Sequence, residues 1–158
     1  MPEYQEQGTN KNDYITIDGH IDWAMIPANT IPKQKQDLPV RLRVGDQNFG
    51  KNHIELRHGK WLAQKRRNVC EMLWEKLSKS SGKFYKGNKK EKDRVKLYVR
   101  ISPEAVLLLE KQYDKIDKTH FLSVVTIYTH TPKHDEEEIG VYLSKYRNPN
   151  IKVLLPMG

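Results

Sequence analysis

The segment His53-Ile54-Glu55-Leu56-Arg57-His58 holds side chains that could carry out acid–base chemistry on a phosphate. An imidazole takes up and returns a proton near neutral pH. A guanidinium binds a phosphate through paired hydrogen bonds. Metal-independent RNA cleavage needs groups of these kinds, so the segment is the first candidate for a functional site.

The spacing within this segment favours one shared site. His53 and Arg57 are four residues apart, which puts them on one side of a helix and also on one face of a strand. Both conformations therefore remain open. Regular geometry does not bring His58 to the same place, and we expect it there only if the chain bends near Gly59. The alternative is a helix start with two incidental histidines.

The positive charge of the chain is concentrated in its middle third. The whole chain of 158 residues has a net charge of +8, whereas residues 48–100 alone have +11. The flanking parts, residues 1–47 and 101–158, have −2 and −1. Such a local excess attracts polyanions, and it begins at the histidine segment. Nucleic acid is the favoured partner, although an acidic protein would fit the same charge.

Length and composition limit the classes of protein to which this chain can belong. The length suits one domain with one core, and no apolar run is long enough to span a bilayer. No secretory signal is visible at the start and Cys70 is the only cysteine, so we expect a cytoplasmic protein without disulfides. No cysteine pair has zinc spacing and no acid-rich cluster supports a histidine site, so neither a metal nor another cofactor is expected.

The chain divides into a lead and one domain. Residues 1–13 are polar and predict a disordered segment, and residues 14–158 predict a single domain whose tail, from about residue 132, is less defined. Within it, Tyr14 to Ile17 and Val40 to Val44 alternate like strands, the latter with an arginine face. Apolar spacing from Trp61 to Ser78 predicts one main helix.

The middle and late parts of the chain predict a loop followed by a sheet. Residues 80–93 form a predicted basic loop whose Phe84 and Tyr85 either stack on a base or tuck into the core. Three strands then follow as a meander, at Arg94 to Ile101, Ala105 to Tyr113 and Phe121 to Thr129. The predicted fold class is α+β, with an N-terminal helix/strand segment and a main helix packed on a twisted antiparallel sheet.

Polar side chains share one face of two of these strands. Thr126, Tyr128 and His130 alternate along the last one, and hydroxyls on a buried strand are either satisfied or used. The strand from Arg94 presents Lys96, Tyr98 and Arg100 on its polar face. These residues are candidates for contact with a phosphate backbone, the alternative being ordinary cross-strand hydrogen bonds.

The order of these elements resembles a known superfamily. A strand ending in Gly45, then Gly50-Lys51-Asn52-His53-Ile54 with Arg57-His58, a helix, a basic strand and a late Val124-Val125-Thr126-Ile127-Tyr128 strand are similar to phage and polymorphic-toxin nucleases. Those nucleases belong to the superfamily that joins barnase, EndoU, colicin-type tRNases and RelE. The resemblance covers residues 14 to 130.

The resemblance implies a metal-independent endoribonuclease, with tRNA among its candidate substrates and an immunity protein as a further candidate partner. His53 would be a general base or acid, Arg57 would hold the phosphate, and His58 would be a second proton carrier or an orienting group. Thr126 and Tyr128 would hydrogen-bond the scissile phosphate. Substrate-binding residues would be Lys51, Lys96, Tyr98, Arg100 and His130.

Two other classes of protein fit the same sequence. A non-catalytic nucleic-acid-binding module would use the basic middle third for salt-dependent binding without turnover. A phage structural or adaptor protein would direct the same charge towards an acidic partner and would do nothing to RNA.

Overall fold

The computed structural model describes residues 2–87, 93–129 and 136–153. It has an α+β fold in which two helices pack on a nine-stranded, mostly antiparallel sheet. The helices are α1, Gly50–Gln64, and α2, Val69–Lys79. The strands are β1 Tyr4–Glu6, β2 Tyr14–Ile17, β3 Ala24–Ile26, β4 Leu38–Arg43, β5 Gly82–Lys86, β6 Arg94–Val99, β7 Ala105–Asp114, β8 Thr119–Tyr128 and β9 Glu138–Tyr142.

In the strand order, the N-terminal strands meet the C-terminal strands where β4 pairs with β8. The sheet runs β1-β2-β4-β8-β7-β6-β5-β9, with β3 paired to β4 beside this path. Strand β4 pairs with β8 in parallel, with Val40 opposite Leu122, and the other strand pairs are antiparallel. The predicted meander of β6, β7 and β8 is confirmed.

The core lies between the helices and one face of the sheet. Alternation within the strands sends every second side chain to that face. The buried apolar side chains of α1 and α2 cover this face of the sheet. The residues that form this core include Leu42, Ile54, Leu73, Leu77, Leu97, Leu107 and Ile127. The opposite face of the sheet therefore presents the polar side chains of β4, β6 and β8.

Three predicted elements differ from the structure. Within the predicted disordered lead, β1 pairs with β2, and the Tyr4 ring stacks on Trp23 at 5.8 Å, which ties the segment to the core. The predicted helix from Trp61 to Ser78 is two helices. Arg66 has a φ of 56° between them, and Asn68 starts α2 with a capping box to Glu71.

The predicted loop over residues 80–93 is also partly a strand. Its first part is β5, which pairs with β6 and β9. The Phe84 side chain is fully buried and Tyr85 is half-buried, so the interpretation in which these rings tuck towards the core is the correct one for Phe84. Residues 88–92, with three of the predicted loop lysines, lie outside the described residues.

Candidate active site on helix α1

A turn that requires glycine at two positions places α1 beside the end of β4. Gly45 and Gly50 have φ of 78° and 81°, which residues with a side chain rarely adopt. A Cβ at Gly45 would lie 1.9 Å from the Phe49 carbonyl oxygen, and one at Gly50 would lie 2.7 Å from the Arg43 carbonyl oxygen. The histidine segment, His53 to His58, is helical, and it starts within the first turn of α1, just after the turn between Gly45 and Gly50.

The His53 ring is held by the turn that precedes the helix. Its Nδ1 lies 2.8 Å from the backbone carbonyl oxygen of Gln47. A carbonyl only accepts hydrogen bonds, so Nδ1 carries the proton and donates it. This bond fixes the orientation of the ring and leaves Nε2 to exchange protons with a ligand. The ring is half-buried, so Nε2 acts at the protein surface.

His58 joins His53 without any bend in the helix. Their ring centroids are 6.5 Å apart and their planes are nearly perpendicular. The prediction that His58 reaches His53 only through a bend near Gly59 is therefore wrong. Burial lowers the pKa of His58, and the charges of His53 and Arg57 lower it further. His58 is therefore neutral at pH 7. Arg57 is exposed on the same part of α1.

Lys51 has acidic partners already. Its Nζ lies 3.1 Å from Glu6 of β1 and 3.1 Å from Glu55, one turn further along α1. Each of these pairs would have to open before the ammonium could meet a phosphate. Lys51 thus links β1 to α1 through these ion pairs. The pairs argue against the predicted role of Lys51 in binding substrate.

Thr126 and Tyr128 lie on β8, the strand against which α1 mainly packs. Thr126 Oγ1 is buried and has no hydrogen-bond partner in the described part of the chain, so no hydrogen bond joins it to the histidine pair. Tyr128 is half-buried at the end of the strand. The strand packs on α1 through its core side chains, among them Ile127, whereas Thr126 and Tyr128 flank Ile127 and belong to the opposite, polar face of the sheet.

The predicted contacts on β6 occupy different environments. The Nζ of Lys96 lies 2.8 Å from Glu136, and the Tyr98 side chain is buried rather than presented to a ligand. Arg100 is exposed just after the strand, with its guanidinium 6.0 Å from the Tyr98 ring centroid. His130 lies outside the described residues.

Comparisons with protein-family models, curated proteins and solved structures found no match. Within residues 2–87, 93–129 and 136–153, no cluster of three or more His, Cys, Asp or Glu side chains is arranged to hold a metal ion. No helix in those ranges is both long and apolar enough to cross a membrane.

Two arginines of β4 are functional candidates that the site predictions missed. Arg41 is buried and bonded to three acids, at 2.6 Å from Asp22, 3.0 Å from Asp117 and 3.7 Å from Asp114. Arg43, on the same face of the strand, has no carboxylate within ion-pair distance among the described residues. The alternation from Val40 to Val44 predicts an arginine face, but the partners of these arginines come from distant parts of the chain and leave no sequence signal.

Proposed function

We propose that the protein is a metal-independent endoribonuclease whose proton carriers are His53 and His58. The observation that carries the proposal is the oriented pair of imidazoles, 6.5 Å apart, beside an exposed guanidinium. Two imidazoles at this separation are close enough to contact the same phosphodiester. The local charge excess that begins at residue 48 supports a polyanionic substrate.

The chemistry assigns one role to each side chain. Neutral His58 would take the proton of the RNA 2′-hydroxyl as its oxygen attacks the adjacent phosphorus. The bond from phosphorus to the 5′-oxygen then breaks, and His53, in the form that carries a second proton on Nε2, would give that oxygen a proton. The products are a 2′,3′-cyclic phosphate and a 5′-hydroxyl. Arg57 would stabilise the negative charge on the pentacoordinate phosphorus.

The superfamily resemblance and the helical site support each other only in part. The α+β fold agrees with the architecture that the resemblance implies, and the histidine segment begins α1 directly after β4. The ion pairs of Lys51 and the burial of Tyr98 do not agree with the substrate contacts inferred for them. The proposal therefore depends on the α1 group rather than on the full set of predicted contacts.

The test is incubation of the purified protein with total RNA in EDTA, followed by analysis of the product ends. We expect 2′,3′-cyclic phosphate ends, and a fall in rate of about 10²-fold or more in His53→Gln and in His58→Gln. His20→Gln is the matched control, because His20 lies in the turn after β2, outside both α1 and the lining of the cleft at Arg43.

The other outcomes of this experiment separate the alternative functions. Undiminished cleavage by His53→Gln, with an unchanged melting temperature, would contradict the proposal. Salt-dependent binding of RNA that stays intact would favour the non-catalytic binding module. Neither binding nor cleavage would direct the search to an acidic protein partner.

A further inference from the structure

Arg43 is a buried cation whose hydrogen-bond and ring contacts in the described part of the chain are all with neutral groups. Its side chain is only 9% exposed. Nε donates to Ser123 Oγ at 2.8 Å and Nη1 donates to Asn12 Oδ1 at 2.9 Å. The guanidinium carbon lies 4.0 Å from the centroid of the Phe49 ring. These contacts orient the guanidinium without neutralising its charge.

A buried guanidinium without a carboxylate partner is unusual. Removing a charge from water is costly, and proteins ordinarily offset that cost with an opposite charge. Arg41, two residues earlier, follows this rule with its three acids. Burial lowers the pKa of Arg43, while the charges of Glu110 and Asp46, neither of which forms an ion pair with it among the described residues, act in the opposite direction. An arginine side chain keeps its proton in proteins. The protein thus retains a positive charge that invites an anion.

The Arg43 side chain lines a surface cleft of about 530 Å³. Its Nη2 makes no hydrogen bond among the described residues and is not fully buried. Nη2 is therefore accessible from the cleft. The volume falls within the range of about 300–1,000 Å³ that is typical of small-molecule sites.

The walls of the cleft combine carboxamides with aromatic rings. Asn10, Asn12 and Gln112 supply donors and acceptors, and Tyr113 presents a ring that is 48% exposed. Carboxamides can hydrogen-bond the edge of a base, and an exposed aromatic ring can stack on its face. A guanidinium and an aromatic ring in one cleft suit a ligand with a phosphate at one end and a planar ring at the other.

Two acids also line the cleft, and both have partners. Asp114 accepts a hydrogen bond of 2.6 Å from the Tyr14 hydroxyl and lies 3.7 Å from Arg41. Asp13 accepts a hydrogen bond of 2.9 Å from the backbone of Asn10. Asp114 is therefore neutralised by Arg41, whereas Asp13 keeps its negative charge but forms no ion pair with Arg43 among the described residues.

We propose that this cleft binds a nucleoside monophosphate, with its phosphate on Arg43 and its base against Tyr113. The ligand is either a free nucleotide or one unit of an RNA chain, since both offer the same phosphate and base. The proposal does not rest on catalysis by His53 and His58, and it holds if the protein cleaves nothing.

The test is calorimetric titration of the protein with AMP, GMP, CMP and UMP, and separately with inorganic phosphate and with adenosine. We expect at least one nucleotide to bind, and to bind at least tenfold more tightly than phosphate or adenosine. A short RNA oligonucleotide with the same base shows whether the natural ligand is a chain. Tighter binding of the oligonucleotide would assign the cleft to RNA, and equal binding would assign it to the free nucleotide.

Asn12→Asp is the decisive variant, because it places a carboxylate against Arg43 Nη1 without changing the shape of the side chain. We expect an unchanged or higher melting temperature together with at least tenfold weaker nucleotide binding. Asn150→Asp, which makes the same charge change outside the cleft, should bind as the native protein does. Tyr113→Ala should weaken nucleotide binding and leave phosphate binding unchanged.

Three results would overturn the proposal. The first is the absence of binding by all four nucleotides at millimolar concentration. The second is unweakened binding by Asn12→Asp, and by Arg43→Gln as a second variant that removes the charge itself. The third is equal binding of phosphate and nucleotides, which would remove the base from the assignment. RNA cleavage by His53→Gln is measured separately, so each proposal can fail alone.

Discussion

The Tyr14 hydroxyl donates a 2.6 Å hydrogen bond to the Asp114 carboxylate, and this bond joins β2 to the end of β7. The same hydroxyl accepts a hydrogen bond from Arg41 Nη1 at 3.2 Å. Burial raises the pKa of Tyr14 to about 12, and the carboxylate of Asp114 adds to the shift. One phenol therefore links an arginine and an acid that come from opposite halves of the chain.

We expect Tyr14→Phe to lower the free energy of unfolding by about 1–2 kcal/mol, because Asp114 and Arg41 each lose a partner in a partly buried position. Urea denaturation measures the change. Tyr113→Phe is the matched control, since the Tyr113 ring is half-exposed and its hydroxyl makes no hydrogen bond among the described residues. Equal stability of the native protein and Tyr14→Phe would show that the bond contributes nothing.

The pH dependence of stability should report on His58. Its pKa in the folded protein is below the ordinary value of 6.5. The unfolded chain therefore binds a proton more readily than the folded protein once the pH falls through that value. The contribution of neutral His58 is fully present above pH 6.5 and is lost as the pH falls towards its folded pKa.

The corresponding measurement is urea denaturation of the native protein and of His58→Gln between pH 7.5 and 5.5. The variant should lose less stability over this range, because glutamine does not titrate. His120→Gln should behave as the native protein does. A slope that His58→Gln leaves unchanged would mean that His58 is not held in its neutral form.

We expect Thr126→Val to raise the free energy of unfolding by about 1 kcal/mol, because it removes a buried hydroxyl that has no hydrogen-bond partner among the described residues. Thr16→Val is a close control. Thr16 is equally buried at 8% exposed, but its hydroxyl donates to the Gln5 carbonyl at 3.2 Å, so its loss should destabilise. Loss of RNA cleavage by the stabilised Thr126→Val would assign the hydroxyl to function.

The acidic residues Glu136 to Glu138, at the start of β9, should compete with nucleic acid. Glu136 lies 2.8 Å from Lys96 and Glu138 lies 3.4 Å from Lys83. We expect Glu136→Gln to bind RNA several-fold more tightly at low salt, because it removes a negative charge that lies 2.8 Å from the Lys96 ammonium and competes with phosphates for it. Glu138→Gln should have a smaller effect, since both members of that pair are partly exposed.

Fluorescence anisotropy with a labelled RNA, repeated over a range of salt, measures this competition. Glu137→Gln removes the same charge from the neighbouring position, where the side chain forms no ion pair in the described ranges. An effect of Glu137→Gln equal to that of Glu136→Gln would mean that net charge, and not the pair with Lys96, controls binding.

Alternation predicted the strands because it follows from the geometry of the backbone. Strands β4 and β6 have nearly strict apolar periods, and the short connections of β7 favour a strand for its fully apolar run. Strand β8 departs from a strict period because its register with β7 shifts between Val124 and Thr126. The spacing does not distinguish a helix from a strand at the start of α1, because Ile54 is the only deeply buried side chain there before Leu62. One buried side chain does not define a period. The break before α2 has a local signal in the capping box of Asn68 and Glu71, which the apolar spacing masked.

Other features depend on tertiary structure and have no sequence signal. The approach of His58 to His53 depends on side-chain directions, which residue spacing alone does not give. Lys51 was an expected phosphate contact, but Glu6 pairs with it from a segment that the composition predicted to be disordered. The isolation of Arg43 from carboxylates is likewise visible only when β4, β8 and the turn at Asn12 are placed together.

The parallel pairing of β4 with β8 has a consequence for how the protein is made. Strand β4 leaves the ribosome long before β8, so its β8-facing edge stays unpaired while most of the remaining chain is synthesised. Contacts so distant in sequence form late and slow the folding of a domain. Both the cleft at Arg43 and the β8 surface next to α1 need this pairing. We therefore expect neither to exist on a nascent chain, so that any activity towards RNA begins only after β8 has joined the sheet.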